Sequence, residues 1–216
     1  MNDHSFTYYF CLKRTIGAVA MENKSKPKYK LILDAAVDVI AENGYHHSQV
    51  SKIAKKAGVA DGTIYLYFKN KEDILVSLFE EKMGQFVSRI RNEIDQLDRA
   101  DEKLYKLIEM HFSQLAEDPS LAIVTQLELR QSNKTLRLKI NDVLKGYLAL
   151  MDAILTEGME DGTFYSQLNV QLVRQVLFGT LDEVVTNWVM KDQRYELVDQ
   201  AEDVHYLIYN GLRDHG

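Results

Sequence analysis

Apolar residues recur at helical spacing along most of this chain. From Lys28 to Asn43 they follow the i, i+3, i+4, i+7, i+8 template of an amphipathic helix, which Asn43 and Gly44 end as a left-handed cap. The same period from Lys71 to about Leu97 predicts a helix about 40 Å long, in which Gly84 marks a close contact with either a ligand or a neighbouring helix. We therefore predict an all-α fold of about nine helices, whose C-terminal members cover residues 101–117, 120–131, 133–157 and 170–190 and a final run from about Leu197.

Two short helices are predicted between the first two long ones. We expect Ser48 to cap the first and Asp61 to cap the second, because a side-chain oxygen there accepts a bond from an unpaired first-turn N–H. Gly58 suits the left-handed conformation that ends the first of these helices. Ile53 and Ala54 face inward, and the small alanine lets two helices cross closely. This arrangement is typical of a helix-turn-helix.

The second short helix has an apolar side and an uncharged side. Because successive side chains are offset by about 100°, Ile64 and Phe68 share the side that faces the core. An aromatic helix of this kind also fits plain core packing. The uncharged side, however, suits close approach to the floor of a DNA groove, and lysines follow at a helix start that favours an anion. We interpret this side as DNA-facing, with Gly62, Thr63 and Leu66 on it, Tyr65 and Tyr67 at its flanks, and Lys69 and Lys71 after it.

Net charge supports this interpretation only when it is divided along the chain. The 216 residues carry a formal charge of −6, which is unusual for a DNA-binding protein. Residues 21–75 carry +2, whereas residues 76–216 carry −9. The positive charge thus lies with the motif, and we expect the acidic remainder to be held away from the phosphate backbone.

The run Gly-Thr-Ile-Tyr-Leu-Tyr-Phe-Lys-Asn-Lys-Glu-Asp-Ile-Leu at 62–75 resembles the signature of TetR-family transcriptional repressors. The resemblance implies a helix-turn-helix DNA-binding domain at 28–75 and a C-terminal helical domain at 76–216 that binds ligand and dimerises. It also implies DNA contacts, most of them to phosphate. These contacts are Gln49, Ser51, Thr63, Tyr65, Tyr67 and Lys71, to which we add Gly62 from its place on the uncharged side.

Residues 1–27 are interpreted as an N-terminal extension and a basic arm. The Lys-rich segment 24–30 is typical of a solvated arm and also suits contacts to nearby phosphates. A basic pair interrupts the apolar residues before the small residues 18–20, which excludes a signal peptide, and we expect the natural chain to start at Met21. The single Cys11 and the lack of an apolar run of transmembrane length predict a cytoplasmic protein without a membrane partner.

The helix predicted at 170–190 has an apolar stripe wider than a solvent-facing helix needs. With the last helix it supplies two faces of an intermolecular four-helix bundle, and the alternative is plain intramolecular core. A two-fold dimer also suits DNA, because two recognition helices must enter successive major grooves about 34 to 36 Å apart. We therefore expect a homodimer that binds double-stranded operator DNA.

A candidate ligand site lies in the C-terminal part of the chain. Arg130, with Arg137 two turns later, stands in an otherwise apolar neighbourhood, and arginine forks match phosphate oxygens. A basic mouth on an apolar tunnel suits an acyl chain with an anionic head, but a salt bridge from Arg130 to Glu128 or Glu183 fits the sequence as well. The predicted lining, which is also typical of plain core, consists of Phe86, Phe112, Tyr147, Met151, Phe178 and Trp188.

From about Lys28 onward the chain is similar to the acyl-CoA-responsive fatty-acid-degradation repressors of Gram-positive bacilli. The segments Thr125–Asn133 and Phe178–Glu183 carry this likeness. It implies that long-chain acyl-CoA binds the C-terminal part and releases operator DNA, so that β-oxidation genes are expressed. We expect the ligand to act by moving the long helix from Lys71, and we expect no cofactor.

Two other functions fit parts of the sequence: regulation of a multidrug efflux pump, and a helical enzyme acting on acyl thioesters. The basic residues favour an anion over the cations that aromatic boxes with carboxylates bind. The sequence offers no nucleophile with an attendant base, and His46 and His47 lack further ligands at metal-binding spacing. We interpret His111 as a core histidine with satisfied hydrogen bonds. A regulator with neither enzymatic activity nor a metal is therefore the prediction.

Overall fold

The computed structural model describes residues 27–128 and 131–214, and every regular element in these residues is helical. The all-α prediction is confirmed. The predictions for residues 1–26 and for Arg130 lie outside the described residues. The helices are α1 (Pro27–His47), α2 (Val50–Lys56), α3 (Asp61–Ile64), α4 (Lys71–Ile94), α5 (Ala100–Glu117), α6 (Pro119–Glu128), α7 (Lys134–Glu160), α8 (Val170–Met190) and, after a 3-10 turn at Leu197–Asp199, α9 (Gln200–Leu212).

The chain divides into two compact units, Met1–Leu78 and Phe79–Gly216, which we call the first and the second unit. In the first unit, α2 packs against both α1 and α3. The apolar positions that follow the helical period are the ones that are buried, as burial of one helix face requires. This core includes Ile32, Ala36, Ile40, Ile53, Ala54, Ile64 and Phe68.

Helix α5 is the central helix of the second unit. It packs against α6, α7, α8 and α9, and its residues Leu104, Leu107, Ile108 and Phe112 are fully buried. At the start of α7, the side chain of Asn133 accepts a hydrogen bond from the backbone N–H of Leu136, which confirms the cap predicted there.

Three glycines differ in what their missing side chain allows. Gly44 has φ 71°, so the helical conformation of α1 is interrupted there, three residues before α1 ends at His47, and the predicted left-handed φ is confirmed. At Gly158, inside α7, a Cβ would lie 2.1 Å from Cδ2 of the buried Phe164, so only glycine allows this approach. At Gly84 a Cβ meets no described atom within 4 Å, so the predicted close contact with a neighbouring helix is wrong, whereas the alternative of a ligand contact stays a prediction.

Candidate functional site

The helix-turn-helix of the first unit is formed by α2 and α3. Gly58 has φ 67°, and the backbone N–H of Val59 donates to the carbonyl oxygen of Ala54 over 3.0 Å, so the predicted left-handed end of α2 is confirmed. Behind the turn, the ring of Phe68 stacks on that of Tyr29 with 5.0 Å between centroids. The stacked rings of Tyr29 and Phe68 therefore form part of the core beneath the helix-turn-helix.

The two predicted side-chain caps of this motif are wrong. Gln49 precedes α2 and Ala60 precedes α3, and neither side chain makes a capping hydrogen bond. Ser48 is buried, and its hydroxyl donates to the carbonyl oxygen of Gly44 over 2.8 Å. Ser48 therefore stabilises the end of α1 and does not cap the start of α2. Asp61 is the first residue of α3, where its charge still complements the helix dipole.

The side chains predicted to contact DNA lie mostly on the surface of the first unit. Tyr65 is 60% exposed and Leu66 is 74% exposed. Tyr67 is half-buried, because its ring packs at 6.4 Å from the rings of Tyr29 and Phe68. Among the other predicted contacts, Gln49, Ser51 and Gly62 are exposed and Thr63 is half-buried. The surface thus offers a largely uncharged face, and Tyr67 also serves the packing beneath it.

Lys71 has a structural role that the sequence analysis missed. Its ammonium group donates hydrogen bonds to the carbonyl oxygens of Tyr45, His46 and Ser48 at 2.8, 3.0 and 3.1 Å. It also lies 4.6 Å from the ring centroid of Tyr45, a cation–π distance. The first residue of α4 is therefore held against the last residues of α1 and the residue that follows α1.

The second unit contains a small cavity with a volume of about 40 Å³. Three residues predicted to line a ligand site do line it: Phe86, Tyr147 and Phe178. The rings of Phe86 and Tyr147 meet edge-on with 5.5 Å between centroids. The rest of the described lining consists of Met83, His111, Leu115, Leu121, Thr125, Gln126, Leu144 and Asp182.

His111 is one of the polar residues in this lining. Its Nδ1 lies 2.8 Å from the hydroxyl oxygen of Tyr147, whereas its Nε2 is buried without a hydrogen-bond partner among the described residues. Burial lowers the pKa of His111 to about 3, and burial raises the pKa of Tyr147 well above its ordinary value. The pair is therefore neutral at physiological pH. The prediction of a core histidine is confirmed, but its hydrogen bonds are only half satisfied.

Comparison with known proteins identifies both units. Residues 32–78 match the family described as bacterial regulatory proteins, tetR family, and residues 79–211 match the one described as YsiA-like protein, C-terminal region. The chain belongs to the TetR family. It is therefore a transcriptional regulator with a helix-turn-helix for binding DNA, and the enzyme interpretation is excluded.

The TetR-family relatives include proteins of similar length and known structure. The fatty acid metabolism regulator protein of Bacillus subtilis (strain 168) is 62% identical over 191 residues, which cover 88% of this chain and 98% of the relative. The fatty acid degradation regulator FadR from Bacillus halodurans is 64% identical, with a TM-score of 0.83 over 86% of this chain and 100% of its own. FadR from Bacillus subtilis in complex with stearoyl-CoA is 63% identical, with the same TM-score and coverage.

The structure does not bring together all the predicted ligand residues of this TetR-family chain. Phe112 and Met151 are fully buried but do not line the cavity. Trp188 also lies outside the lining, and its indole N–H donates to the carbonyl oxygen of Tyr195 over 2.8 Å. Arg137 is half-buried and donates to the carbonyl oxygen of Gln131 over 3.1 Å. With Arg130 outside the described residues, the basic mouth remains a prediction.

The polar part of the cavity lining was not predicted, although the sequence contains a signal for it. Asp182 stands four residues after Phe178 and three before Val185, on what is otherwise an apolar stripe of α8. Gln126 has a comparable place on α6, next to the lining residue Thr125. A polar residue on an apolar helix face is a site candidate, since its burial must be compensated by a partner.

Two properties of the described residues bear on other classes of protein. Residues 27–128 and 131–214 contain no group of three or more histidine, cysteine, aspartate or glutamate side chains able to hold a metal ion. Within the same ranges, no helix of this TetR-family chain has the length and apolar character needed to cross a membrane.

Proposed function

We propose that this protein is a dimeric repressor of fatty-acid-degradation (β-oxidation) genes that leaves its operator DNA when long-chain acyl-CoA binds the second unit. The observation that carries the proposal is the apolar cavity at Phe86, Tyr147 and Phe178, in a chain 63% identical to a FadR whose structure contains stearoyl-CoA. An apolar lining with few polar groups suits an acyl chain, because burying the chain removes apolar surface from water.

Operator DNA would meet the surface formed by α2 and α3. Tyr65 and Gln49 are exposed there, and Gly62 allows the backbone to approach a groove closely. Most of these side chains suit phosphate contacts, which position the protein on the duplex more than they specify a sequence. A cytoplasmic location follows from this role, since the regulator must reach the chromosome.

Dimerisation through α8 and α9 is supported by apolar side chains that the second unit leaves exposed. Leu172, Val176 and Met190 on α8, and Tyr206 and Leu207 on α9, are each more than half exposed. Exposed apolar surface of this kind marks protein interfaces. Two helices from each protomer would form a four-helix bundle, and the pair of protomers would present two DNA-binding surfaces.

The anionic head of acyl-CoA requires cations near the cavity. Arg137 lies at the end of the first turn of α7, and Arg130 stands seven residues before it in the chain. Guanidinium groups bind phosphate oxygens in a bidentate manner, so these two arginines are the head-group ligands that we propose.

Release of DNA requires the two units to be coupled. Helix α4 contributes Lys71 to the first unit and the cavity residue Phe86 to the second, so it is the element through which the ligand would act. Coupling between two binding sites is typically about 1 to 3 kcal/mol, which corresponds to a change in affinity of roughly 5- to 150-fold.

The test uses fluorescence anisotropy of a labelled duplex that the protein itself has selected from a random library. Stearoyl-CoA is expected to weaken DNA binding by roughly 5- to 150-fold, whereas free CoA leaves it unchanged. Tyr65→Ala is expected to weaken DNA binding without changing stearoyl-CoA binding, because the side chain is exposed on the other unit. Equal retention of DNA with stearoyl-CoA and with CoA would refute the proposed effector.

Regulation of multidrug efflux is the second candidate, and one observation favours it. Asp182 is among the residues that line the cavity, together with the aromatic Phe86, Tyr147 and Phe178, and aromatic boxes with a carboxylate bind cations. Rhodamine 6G, an aromatic cation, is therefore included in the same assay. Release of DNA by rhodamine 6G but not by stearoyl-CoA would replace the first proposal with this one.

A further inference from the structure

One buried nitrogen in the cavity lacks a partner. His111 is only 6% exposed, it lines the cavity with Phe86, Tyr147 and Phe178, and its Nε2 meets no hydrogen-bonding atom of the described residues. Such an atom forgoes the hydrogen bonds that water gives it in the unfolded chain. An unpartnered polar atom in the lining of a cavity is therefore where a polar atom of a ligand gains most.

The neighbouring Tyr147 fixes which hydrogen-bonding role this nitrogen has. The hydroxyl of Tyr147 has one proton, and Nδ1 of His111 lies 2.8 Å from its oxygen. If Tyr147 donates to Nδ1, the proton of the neutral ring is on Nε2, and only the Nε2–H group is left unpaired. If Nδ1 donates instead, both the phenol proton and the Nε2 lone pair are left unpaired. The first arrangement leaves fewer unsatisfied groups, so Nε2 is a donor.

Two other polar side chains of the lining are engaged with protein atoms. The hydroxyl of Thr125 donates to the carbonyl oxygen of Ala122 over 2.9 Å. The side-chain amide of Gln126 lies 2.9 Å from the hydroxyl oxygen of Thr186. Among the described lining residues, the Nε2–H group of His111 is thus the donor that a ligand in this cavity can use.

We propose that Nε2 of His111 donates a hydrogen bond to the thioester carbonyl oxygen of the bound acyl-CoA, and that it selects thioesters over free fatty acids. This inference rests on the proposed function. A saturated acyl chain has no other hydrogen-bond acceptor, so the carbonyl is the atom of such a chain that can satisfy the donor.

Charge explains the selection against free fatty acids. Burial lowers the pKa of His111 to about 3, so the ring that faces the ligand is neutral at physiological pH. A neutral donor satisfies a neutral carbonyl fully, but it does not compensate the charge of a buried carboxylate, whose desolvation is costly. The cavity therefore binds the thioester and rejects the fatty acid that hydrolysis of the thioester would release.

The test compares stearoyl-CoA with octadecyl-CoA, the thioether that has the same chain and head but no carbonyl. Isothermal titration calorimetry of the DNA-free protein is expected to give about tenfold tighter binding of the thioester, the value of one hydrogen bond to a desolvated donor. Stearate is expected to bind more weakly than either. Because both CoA ligands are measured with the same protein, general damage to the cavity cancels in the ratio of their dissociation constants.

The double variant His111→Phe with Tyr147→Phe keeps both rings and removes both polar partners, a replacement that is nearly neutral for stability. It is expected to bind the two CoA ligands equally. His205→Phe is the matched control, because His205 also has a buried Nε2 without a partner but does not line the cavity. It is expected to keep the tenfold preference.

Equal binding of thioester and thioether by the unaltered protein would overturn the inference while leaving the acyl-CoA effector intact. A preference that survives in the double variant, or one that His205→Phe abolishes, would overturn it as well. If neither stearoyl-CoA nor octadecyl-CoA binds at all, the proposed function itself fails.

Discussion

The two units of the protein place their functional residues differently. In the first unit the residues proposed to meet DNA and the residues that form the core are mostly distinct, so that Tyr65 is exposed whereas its neighbour Ile64 is fully buried. In the second unit the same side chains form the core and the proposed ligand site, since Phe86 and Tyr147 are buried and also line the cavity. DNA affinity and stability should therefore change separately in the first unit, whereas ligand affinity and stability should be coupled in the second.

The strongest way to test this comparison is to add the same methyl group to a glycine in each unit. Gly158→Ala in the second unit is expected to lower the free energy of unfolding by about 3 kcal/mol, because the new Cβ would lie 2.1 Å from the ring of the buried Phe164. Urea unfolding at a fixed protein concentration measures the loss. Hydrogen exchange should rise most in peptides from residues 79–214.

Two further glycines serve as controls for this substitution. Gly146 lies in α7 with Gly158, but a Cβ there meets nothing within 4 Å, so Gly146→Ala is expected to raise stability by up to ~1 kcal/mol. Gly62→Ala in the first unit meets nothing either, and it should weaken DNA binding at unchanged or slightly higher stability. A large loss of stability from Gly62→Ala would contradict the expectation that DNA affinity and stability change separately in the first unit.

Lys71 is the residue of the first unit at which we expect DNA affinity and stability to change together. Lys71→Met removes hydrogen bonds to three backbone carbonyl oxygens, so it is expected to cost about 2 kcal/mol of stability as well as DNA affinity. Lys69→Met is the matched control, since Lys69 is exposed and its substitution should change stability by less than about 0.5 kcal/mol. Urea unfolding and the anisotropy assay measure the two effects. Equal stability of both variants would mean that the Lys71 contacts contribute nothing.

The sequence alone predicted the helices well, because the apolar residues of one helix face recur every three or four positions along the chain. α8 was expected at 170–190 and is Val170–Met190, and the left-handed backbone at Gly44 and Gly58 was expected from the residue type. The wrong caps at Ser48 and Asp61 each differ by one residue from the true N-cap positions, Gln49 and Ala60. Local patterns do not determine boundaries that closely.

The cavity was less predictable, for a physical reason. The helical period shows that Phe86, Phe112 and Met151 face inward, but only the packing of helices distant in sequence decides whether an inward side chain meets another side chain or a void. Phe86 meets the cavity, whereas Phe112 and Met151 do not. For the same reason the unpartnered nitrogen of His111 could not be foreseen, since its surroundings come from several helices.

The smallest expected effect concerns pH and acts on the second unit through His111. Burial lowers the pKa of this histidine from 6.5 to about 3, so between these values the unfolded chain binds a proton that the folded chain does not. Stability is therefore complete above pH 6.5 and falls as the pH is lowered through this window. Between pH 7.5 and 5.5 the loss due to His111 is expected to be about 1 kcal/mol.

Urea unfolding at both pH values measures this loss when the pH dependence of the unaltered protein is compared with that of the double variant His111→Phe with Tyr147→Phe. The double variant keeps His205, whose pKa is also lowered by burial, so the contribution of His205 cancels in the comparison. Hydrogen exchange should place the destabilisation in the second unit, which contains His111. The same pH dependence in both proteins would show that His111 is not buried as a neutral ring, and the donor proposed for the thioester would lose its basis.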